Sequence, residues 1–571
     1  MKFQNTNREI IYPIAFALVL VIGILIGSKF QKAPGRPSLM VQPRTDKLTS
    51  VLQYIQEEYV DSVSMHNLIE QTIPSMLKNL DPHSVYIPAS DLQAVNEPLE
   101  GNFDGIGVQF NMPNDTVIVL NTIVGGPSEK LGIQAGDRII TINDSLVAGV
   151  KIPQDSIVKL LKGKTGTKVK VGIKRNEVNE LIDFDIVRGK IPIYSVDVSY
   201  MASPTIGYIK ISKFARTTYR EFIDAIEKLK KEGMTKVVID LRGNNGGYLD
   251  AATNIANEFL PEGKLIVYTQ GKARPRQNIY STASGRCLDT EVAVIIDEFS
   301  ASASEILAGA IQDNDRGVVI GRRSFGKGLV QEQILFSDGS ALRLTIARYY
   351  TPTGRSIQKH YEPGSDDYFY DISNRYMHGE FQEPDSIQFA DSLKFTTPSG
   401  RTVYGGGGIM PDVFVGLDTT GVTPYFTKVS NRNLVYRFAF QFAEKNRKHL
   451  NSLKTFTDVY SFIEQQKIFE EFVTYAQSNG VKPNAKDIKV SRQLIETQIK
   501  AYIARNAIDN EGYYPYIKNI DTTLKKAIEV LDNNQTSQIV NPNQGSKLSM
   551  NMLLISYMKT SPKKEAIAMA A

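Results

Sequence analysis

At 571 residues the chain is too long for one hydrophobic core, so three or four structural units are expected. Its formal charge of +5, from 66 basic against 61 acidic residues, is too slight a bias to suggest a nucleic-acid partner. The single cysteine, Cys287, excludes an internal disulfide framework and a thiolate-rich metal site, and five scattered histidines argue against a His-based centre. Neither a metal nor a cofactor is expected.

Ile10 to Gly27 is an apolar run broken only by Tyr12 and Pro13, with Lys2 and Arg8 before it. At about 1.5 Å per residue such a helix just reaches across a hydrocarbon core of about 30 Å. A cleaved secretory signal shares the charged start and apolar centre. No small-x-small cleavage site follows, however, and no cysteine stands ready for lipidation, so an uncleaved signal-anchor is expected. Lys29, Lys32 and Arg36 weaken any orientation argument from charge, and either reading exports the remainder. Ala33 to Pro43, with three prolines, reads as a tether, and 1–35 is assigned to anchor and tether.

Val51, Leu52 and Ile55, then Leu68, Ile69, Ile73 and Leu77, fall at helical spacing and predict a helical support region over 36–98. Leu80-Asp81-Pro82-His83-Ser84 lies within it, and His83 is read as shaping a turn with Asp81 and Pro82 rather than as catalytic. A unit over 99–190 follows, opening with Phe103-Asp104-Gly105-Ile106-Gly107-Val108. It predicts a strand at Val117 to Leu120, a turn into a short helix over Gly126 to Gly132, a strand reaching Ile140, a helix over Pro153 to Leu161 and a closing strand at Lys168 to Lys174. Alone, Gly-x-Gly is merely a turn. In this order it resembles a PDZ domain, which implies that Gly105, Ile106, Gly107 and Val108 offer amides to a peptide's terminal carboxylate while the peptide adds a strand.

The stretch over 191–416 alternates as an α/β core: a strand at Ile206 to Ile211, an amphipathic helix carrying Phe222, Ile223, Ile226 and Leu229, and a strand at Lys236 to Leu241. Arg242-Gly243-Asn244-Asn245-Gly246-Gly247 then opens a helix over Leu249 to Phe259. Its glycines leave amides available, as an oxyanion hole requires, whereas the lysine and hydroxyl of a phosphate-binding loop are absent. The apolar run Val292 to Ile296 turns through Asp297-Glu298-Phe299 into a helix from about Ser300, crowding Ser300, Ser302 and Ser304 at a strand-to-helix turn. A further strand, Val318 to Ile320, leads into Ser324-Phe325-Gly326-Lys327-Gly328.

Ser302 and Lys327 are the candidate nucleophile and base. A lysine acts as a base only when neutral, which calls for desolvation or a nearby cation. Two local readings of Ser302 stand open. Ser302 to Glu305 fits a capping box in which the serine only starts the helix; if Ser300 caps instead, the Ser302 hydroxyl is free. Gln331 lies about 13 Å from Lys327 along a straight strand, so a bend at Gly328 is expected if its neutral amide is to orient the lysine.

Ala341 to Tyr350 reads as a strand, Thr351 to Arg355 as a turn, and Tyr404 to Asp412 as a glycine-proline element closing the core. Tyr361 to Pro398 is an acidic, aromatic insertion to which no role is assigned. Residues 417–532 are polar helices, including Leu434 to Phe442, Tyr460 to Ala476 and Ile488 to Ile508. They lack sustained heptads, so their roles lie in packing on the core, in forming a homo-oligomer such as a dimer, or in docking an adaptor protein. The tail over 533–571 is expected to be mobile.

Ser300-Ala301-Ser302-Ala303-Ser304-Glu305-Ile306, Phe325-Gly326-Lys327-Gly328 and Gln331 together resemble the active-site signature of the carboxy-terminal processing, or tail-specific, proteases. With the other motifs the resemblance covers about residues 45 to 416. It implies that Ser302 is the nucleophile, Lys327 the base and Gln331 its orienting group. It further implies that Ala303 and Gly246 or Gly247 give the oxyanion amides and that Asp313 plays a supporting part. Many members carry proline where this chain has Asn245, a departure that bears on the rigidity of that loop. The implied architecture is multidomain α/β and α+β: a crotonase-like α/β protease core with an inserted PDZ domain, flanking helical regions and an N-terminal membrane helix.

The implied activity is that of an exported serine endopeptidase of the bacterial cell envelope, its catalytic part in the periplasm, working through an acyl-enzyme on protein substrates with accessible C-termini. A noncatalytic PDZ scaffold is the alternative, against which the intact Ser302, Lys327 and Gln331 stand. An acyl-CoA enzyme of related core architecture would have no reason to carry a PDZ insertion.

Overall fold

The computed structural model describes residues 8–30, 46–112, 115–175, 178–364, 366–387 and 390–540, with side chains in the first helix described over 15–26. They fall into two compact units, residues up to 73 and residues from 74. The first unit holds α1 (Arg8–Phe30), α2 (Lys47–Glu58) and the start of α3 (Met65–Lys78). Among the described residues no helix is long and apolar enough to cross a membrane. The run Ile10 to Gly27, expected as a membrane helix, is helical here, inside the 23 residues of α1. The tether expected over Ala33 to Pro43, and the tail beyond residue 540, lie outside the described residues.

The second unit begins with β1 (Val85–Ile87) and α4 (Ala89–Glu100). Gly101 ends α4 in the left-handed region, φ +74°, with its amide on the Glu97 carbonyl at 3.2 Å. Next come β2 (Asn102–Gly105), β3 (Val108–Asn111), β4 (Val117–Thr122), α5 (Pro127–Lys130), β5 (Arg138–Ile142) and β6 (Ser145–Leu146). They are followed by α6 (Gln154–Leu161), β7 (Lys168–Lys174), β8 (Ile182–Val187) and β9 (Gly189–Pro192). Strands β3-β4-β5-β7-β8 make an antiparallel sheet whose Val119, Ile139, Val171 and Ile173 bury against Ile157 and Leu161 of α6. The chain enters and leaves through the antiparallel pair β2–β9, so the unit hangs from one two-stranded neck.

The core comprises β10 (Val196–Met201), β11 (Ile206–Ile211), α7 (Thr218–Lys231), β12 (Lys236–Asp240), α8 (Leu249–Asn257), β13 (Leu265–Gln270), β14 (Gln277–Tyr280) and β15 (Glu291–Ile296). It continues with α9 (Ala303–Asp313), β16 (Val318–Gly321), β17 (Leu329–Leu335), β18 (Ala341–Tyr350), α10 (Asp367–Met377), β19 (Lys394–Thr396), β20 (Thr402–Tyr404) and β21 (Val413–Phe414). The main sheet runs β10-β11-β12-β15-β16-β21, and all its pairs beyond β10–β11 are parallel. Parallel strands covered on both faces are written as unbroken apolar runs, as Val292 to Ile296 is. Val237, Ile239, Val294 and Ile296 face α7, α8 and α9, while Val238, Ala293, Ile295 and Ile320 face Leu524, Ala527 and Leu531 of the C-terminal helix Thr522–Asp532. Each fully buried aliphatic side chain there contributes about 1.5–3 kcal/mol of transfer free energy.

A second sheet, β1-β18-β13-β14 with β17 on β18, stands beside the first. Helices Leu434–Lys445, Phe456–Glu464, Ile468–Ser478 and Ala485–Ile508 enclose a separate core around Phe438, Phe472 and Ile499. The single helix read over Tyr460 to Ala476 is two helices, a break that turns Ile463 and Ile468 into the same cluster. Within the tail, Thr536–Val540 forms a short helix whose Val540 is buried on the sheet.

Candidate active site

Strand β15 delivers the chain to the serine turn. Asp297 Oδ1 accepts the amides of Phe299 and Ser300, each at 3.1 Å, and that of Gly243 at 3.0 Å, which ties the turn to the glycine loop after β12. Ser300 is not the cap: its hydroxyl donates to the Leu241 carbonyl at 2.9 Å. Ser302 takes the cap position, but with φ +54° and ψ −112° it lies outside the extended conformation of an ordinary cap. A non-glycine residue held there carries about 1–3 kcal/mol of strain. The turn holds that strain because its backbone is fastened on both sides.

One fastening is Glu305, fully buried, whose Oε2 accepts the amides of Ser302 at 2.8 Å and Lys327 at 2.9 Å. Its Oε1 accepts the Gly326 amide at 2.7 Å and the Ser324 hydroxyl. Burial pushes this carboxyl's pKa upward, and the four converging donors pull against that shift. The other fastening is Tyr349, whose hydroxyl bridges the carbonyls of Ser302 and Lys327. Residues 302 and 327 are thus brought together through shared acceptors and donors. Neither Glu305 nor Tyr349 was assigned that part from sequence; the capping-box spacing was the only signal for Glu305.

Lys327 is desolvated, which lowers its pKa; Arg343 adds a like charge in the same direction, and Glu305 and Asp81 oppose it. The result favours the neutral amine that a general base must present. Two residues before it Phe325 meets Tyr368 edge to face at 5.7 Å, and the Lys359 ammonium sits 3.9 Å from the Phe325 ring. Tyr368 belongs to α10, within the insertion left without a role. Arg375 of the same helix donates to the carbonyls of Arg323 at 2.7 Å and Ser324 at 3.0 Å, and pairs with Glu380, which also pairs with Arg323. The insertion therefore clamps the backbone just ahead of the lysine.

The bend expected at Gly328 falls elsewhere. Gly326 carries the positive φ, +88°, and the register irregularity lies between Val330 and Gln331, where a bulge turns the strand. Gln331 Nε2 donates to Thr345 Oγ1 at 3.2 Å, and Thr345 Oγ1 donates to Asp81 Oδ1 at 3.0 Å. Asp81 also accepts the amides of His83 and Ser84. The turn read around Asp81 is present, and through Thr345 it anchors Gln331, more than two hundred residues away in the chain.

Gly246 approaches Ser302 so closely that a Cβ on it would lie 2.8 Å from the Ser302 Cβ and 3.0 Å from the Ala303 nitrogen. Its amide is engaged, donating to Asn244 Oδ1 at 2.8 Å, whereas Gly247 is exposed. Ala303 opens α9, so its amide is among those with no intrahelical acceptor. Rigidity that a proline at Asn245 would supply comes from Asn244, whose side chain bonds both the Gly246 amide and the Ile211 carbonyl, and from the bridge between Phe214 and Gly247. Asp313 sits at the far end of α9, about 16 Å along the axis, in a fully buried ion pair with Arg355 at 2.6 Å.

The loop expected to receive a peptide's terminal carboxylate joins β2 to β3. Gly105, Ile106, Gly107 and Val108 line a cavity of about 160 Å³ with Phe103, Phe110, Val158, Leu161 and Lys162. The carbonyls of Ile106 and Gly107 are held by Ser128 and by the Ile123 amide. In trans peptides the following amides point the opposite way. Among the described residues no group of three or more His, Cys, Asp or Glu is placed to hold a metal ion.

Residues 205–365 match the sequence profile of peptidase family S41, residues 105–186 that of the PDZ domain, and residues 425–509 that of a family of unknown function. The chain is 32% identical over 352 residues to carboxy-terminal processing protease CtpA of Bacillus subtilis (strain 168), a match covering 60% of this chain and 74% of that one. It is 34% identical over 317 residues to carboxy-terminal processing protease CtpB of the same organism, covering 55% and 65%. Among solved structures it is similar to a photosystem II D1 C-terminal processing protease, at 27% identity, 54% of this chain, 89% of that chain and a TM-score of 0.31.

Proposed function

The chain belongs to peptidase family S41 as a carboxy-terminal processing serine protease with a PDZ domain, and from that premise we propose an exported endopeptidase working through Ser302, Lys327 and Gln331. The observation that carries the reading is the shared acceptor: one buried Glu305 oxygen takes the amides of both Ser302 and Lys327. In this reading neutral Lys327 accepts the Ser302 Oγ proton as that oxygen bonds to the scissile carbonyl carbon. The oxyanion is received by the amides of Ala303 and Gly247, with Gly246 as the close-packed spacer. Collapse expels the leaving amine, which takes the proton from Lys327, and water then cleaves the acyl-Ser302 ester by the same route in reverse. Gln331 sets the lysine's orientation through Thr345 and Asp81, while Asp313 acts structurally through Arg355.

The substrate's C-terminus docks in the groove headed by Gly105 to Val108, on a core of crotonase-like architecture. The apolar helix at the N-terminus anchors the chain to the plasma membrane with the catalytic part outside the cytoplasm, and the C-terminal helices serve a homo-oligomer or an adaptor. The support for the anchor is the run from Ile10 to Gly27.

The test is degradation of an unfolded reporter with a nonpolar C-terminus by the full chain, Ser302→Ala and Lys327→Ala, together with membrane fractionation. Loss of cleavage in both variants with unchanged melting temperature supports the dyad; equal cleavage by all three refutes it. Full solubility without detergent refutes the anchor.

A further inference from the structure

The groove has a charged residue at its carboxylate end that the docking reading does not use. Lys162 follows the last turn of α6, and its Cα would lie 3.9 Å from a Cβ on Gly105, so it stands against the first residue of the peptide-binding loop. Its ammonium is 4.8 Å from the Phe103 ring, another lining residue, and pairs at 2.5 Å with Glu97 Oε2. The Lys162 side chain is 36% exposed and that of Glu97 only 11%. Lys162 thus lines the cavity with its ammonium paired to Glu97, the less exposed of the two.

Glu97 does not belong to the peptide-binding unit. It sits on α4, where Gln93 also donates to it, at 3.2 Å. One turn on, Glu100 accepts the Tyr248 hydroxyl at 3.0 Å and Arg216 at 2.8 Å; Tyr248 directly follows Gly247. The anion that occupies Lys162 thus stands on the helix that buttresses the glycine loop of the catalytic centre.

Resting on the docking reading above, we propose that Lys162 is a specificity-determining residue that reads the free terminal carboxylate of the substrate, and that Glu97 is the anion this carboxylate replaces. Glu97 keeps the Gln93 amide as a partner when the Lys162 ammonium turns to the ligand, so one carboxylate is exchanged for another across the same cation. An amidated terminus offers no charge to exchange. The loop amides bind the carboxylate oxygens; Lys162 discriminates the charge.

The test uses the full chain carrying Ser302→Ala, so that nothing is cleaved, and fluorescence anisotropy with one labelled nonpolar decapeptide in free-acid and amidated forms. The parent is expected to bind the acid more tightly. Lys162→Met, which keeps the apolar stem, is expected to shrink the acid-to-amide ratio about tenfold, the size of one charge-assisted hydrogen bond, with Lys162→Arg restoring it. Glu97→Gln removes the competing anion and is expected to tighten the acid alone. An unchanged ratio in Lys162→Met, or weaker acid binding in Glu97→Gln, overturns the inference and leaves the docking reading standing. A parent that binds both peptides equally, or neither, overturns the docking reading itself and the inference with it.

Discussion

The backbone amides of Ser302 and Lys327, twenty-five positions apart in the chain, donate to the same carboxylate oxygen of Glu305, at 2.8 and 2.9 Å. That oxygen sets the separation of the serine turn from the lysine loop. Glu305→Gln puts an amide where a carboxyl group now meets four donors, so at least one N–H faces another. The expected cost is about 2–4 kcal/mol in unfolding free energy, and activity falls by at least about 100-fold because the two elements lose their common anchor. Chemical denaturation and reporter cleavage check both parts. Retained activity in a stable Glu305→Gln protein would contradict the geometry.

Arg343 offers a second handle on the base. It lowers the Lys327 pKa by like charge, after burial, which is the larger cause. Removing it in Arg343→Gln leaves burial in place but lifts the pKa. Since only neutral lysine accepts the proton, activity rises as pH climbs through that pKa, and the acid limb of the kcat/KM profile moves to higher pH in the variant. A limb that stays put, or moves to lower pH, contradicts the role of Lys327 as base.

The strands were legible because buried parallel strands spell themselves as short apolar runs, and Val292 to Ile296 is one of them. Ser302 could not be resolved locally because it occupies the cap position and departs from cap geometry at once, and a backbone dihedral is not written in a side chain. Glu305 was visible as a helix-start residue, whereas its hold on Gly326 and Lys327 crosses a strand and a turn. The anchoring of Gln331 needed Thr345 and Asp81 from distant segments, and no periodicity encodes that. The insertion was opaque for a related reason: Arg375 does its work on backbone carbonyls of Arg323 and Ser324, which have no sequence signature.

Two glycines of one loop are expected to respond differently to alanine. At Gly243, φ is +70° with open space around the missing Cβ, so Gly243→Ala costs about 1 kcal/mol of backbone strain. At Gly247, φ is +145° and a Cβ would fall 2.0 Å from the Phe214 carbonyl oxygen, which is backbone and cannot step aside. Gly247→Ala must open the bridge to Phe214, so its melting temperature drops well below that of Gly243→Ala and cleavage is lost. Similar melting temperatures and similar cleavage rates for the two variants would show that this loop is not held as described.

His83 makes the acid stability of the site measurable. Its Nε2 lies 2.8 Å from the Tyr368 hydroxyl, and burial, reinforced by the charges of Lys327 and Lys359 against the opposing Asp81, pushes its pKa down to about 3. The unfolded chain therefore binds a proton between about pH 6.5 and 3 that the folded chain refuses. The stabilisation from a neutral His83 is complete above pH 6.5 and is lost as pH falls through that window, by at most about 1.4 kcal/mol per pH unit for one proton. His83→Gln removes the titration while keeping a polar side chain that can meet Tyr368. Its unfolding free energy is expected to lie below that of the parent at pH 7.5, with the gap closing, and the order reversing, by pH 4.5. Parallel stability curves for the two proteins across pH 7.5 to 4.5 would mean that His83 takes up its proton in the folded state, and that its contact with Tyr368 of α10 does not keep water from the imidazole.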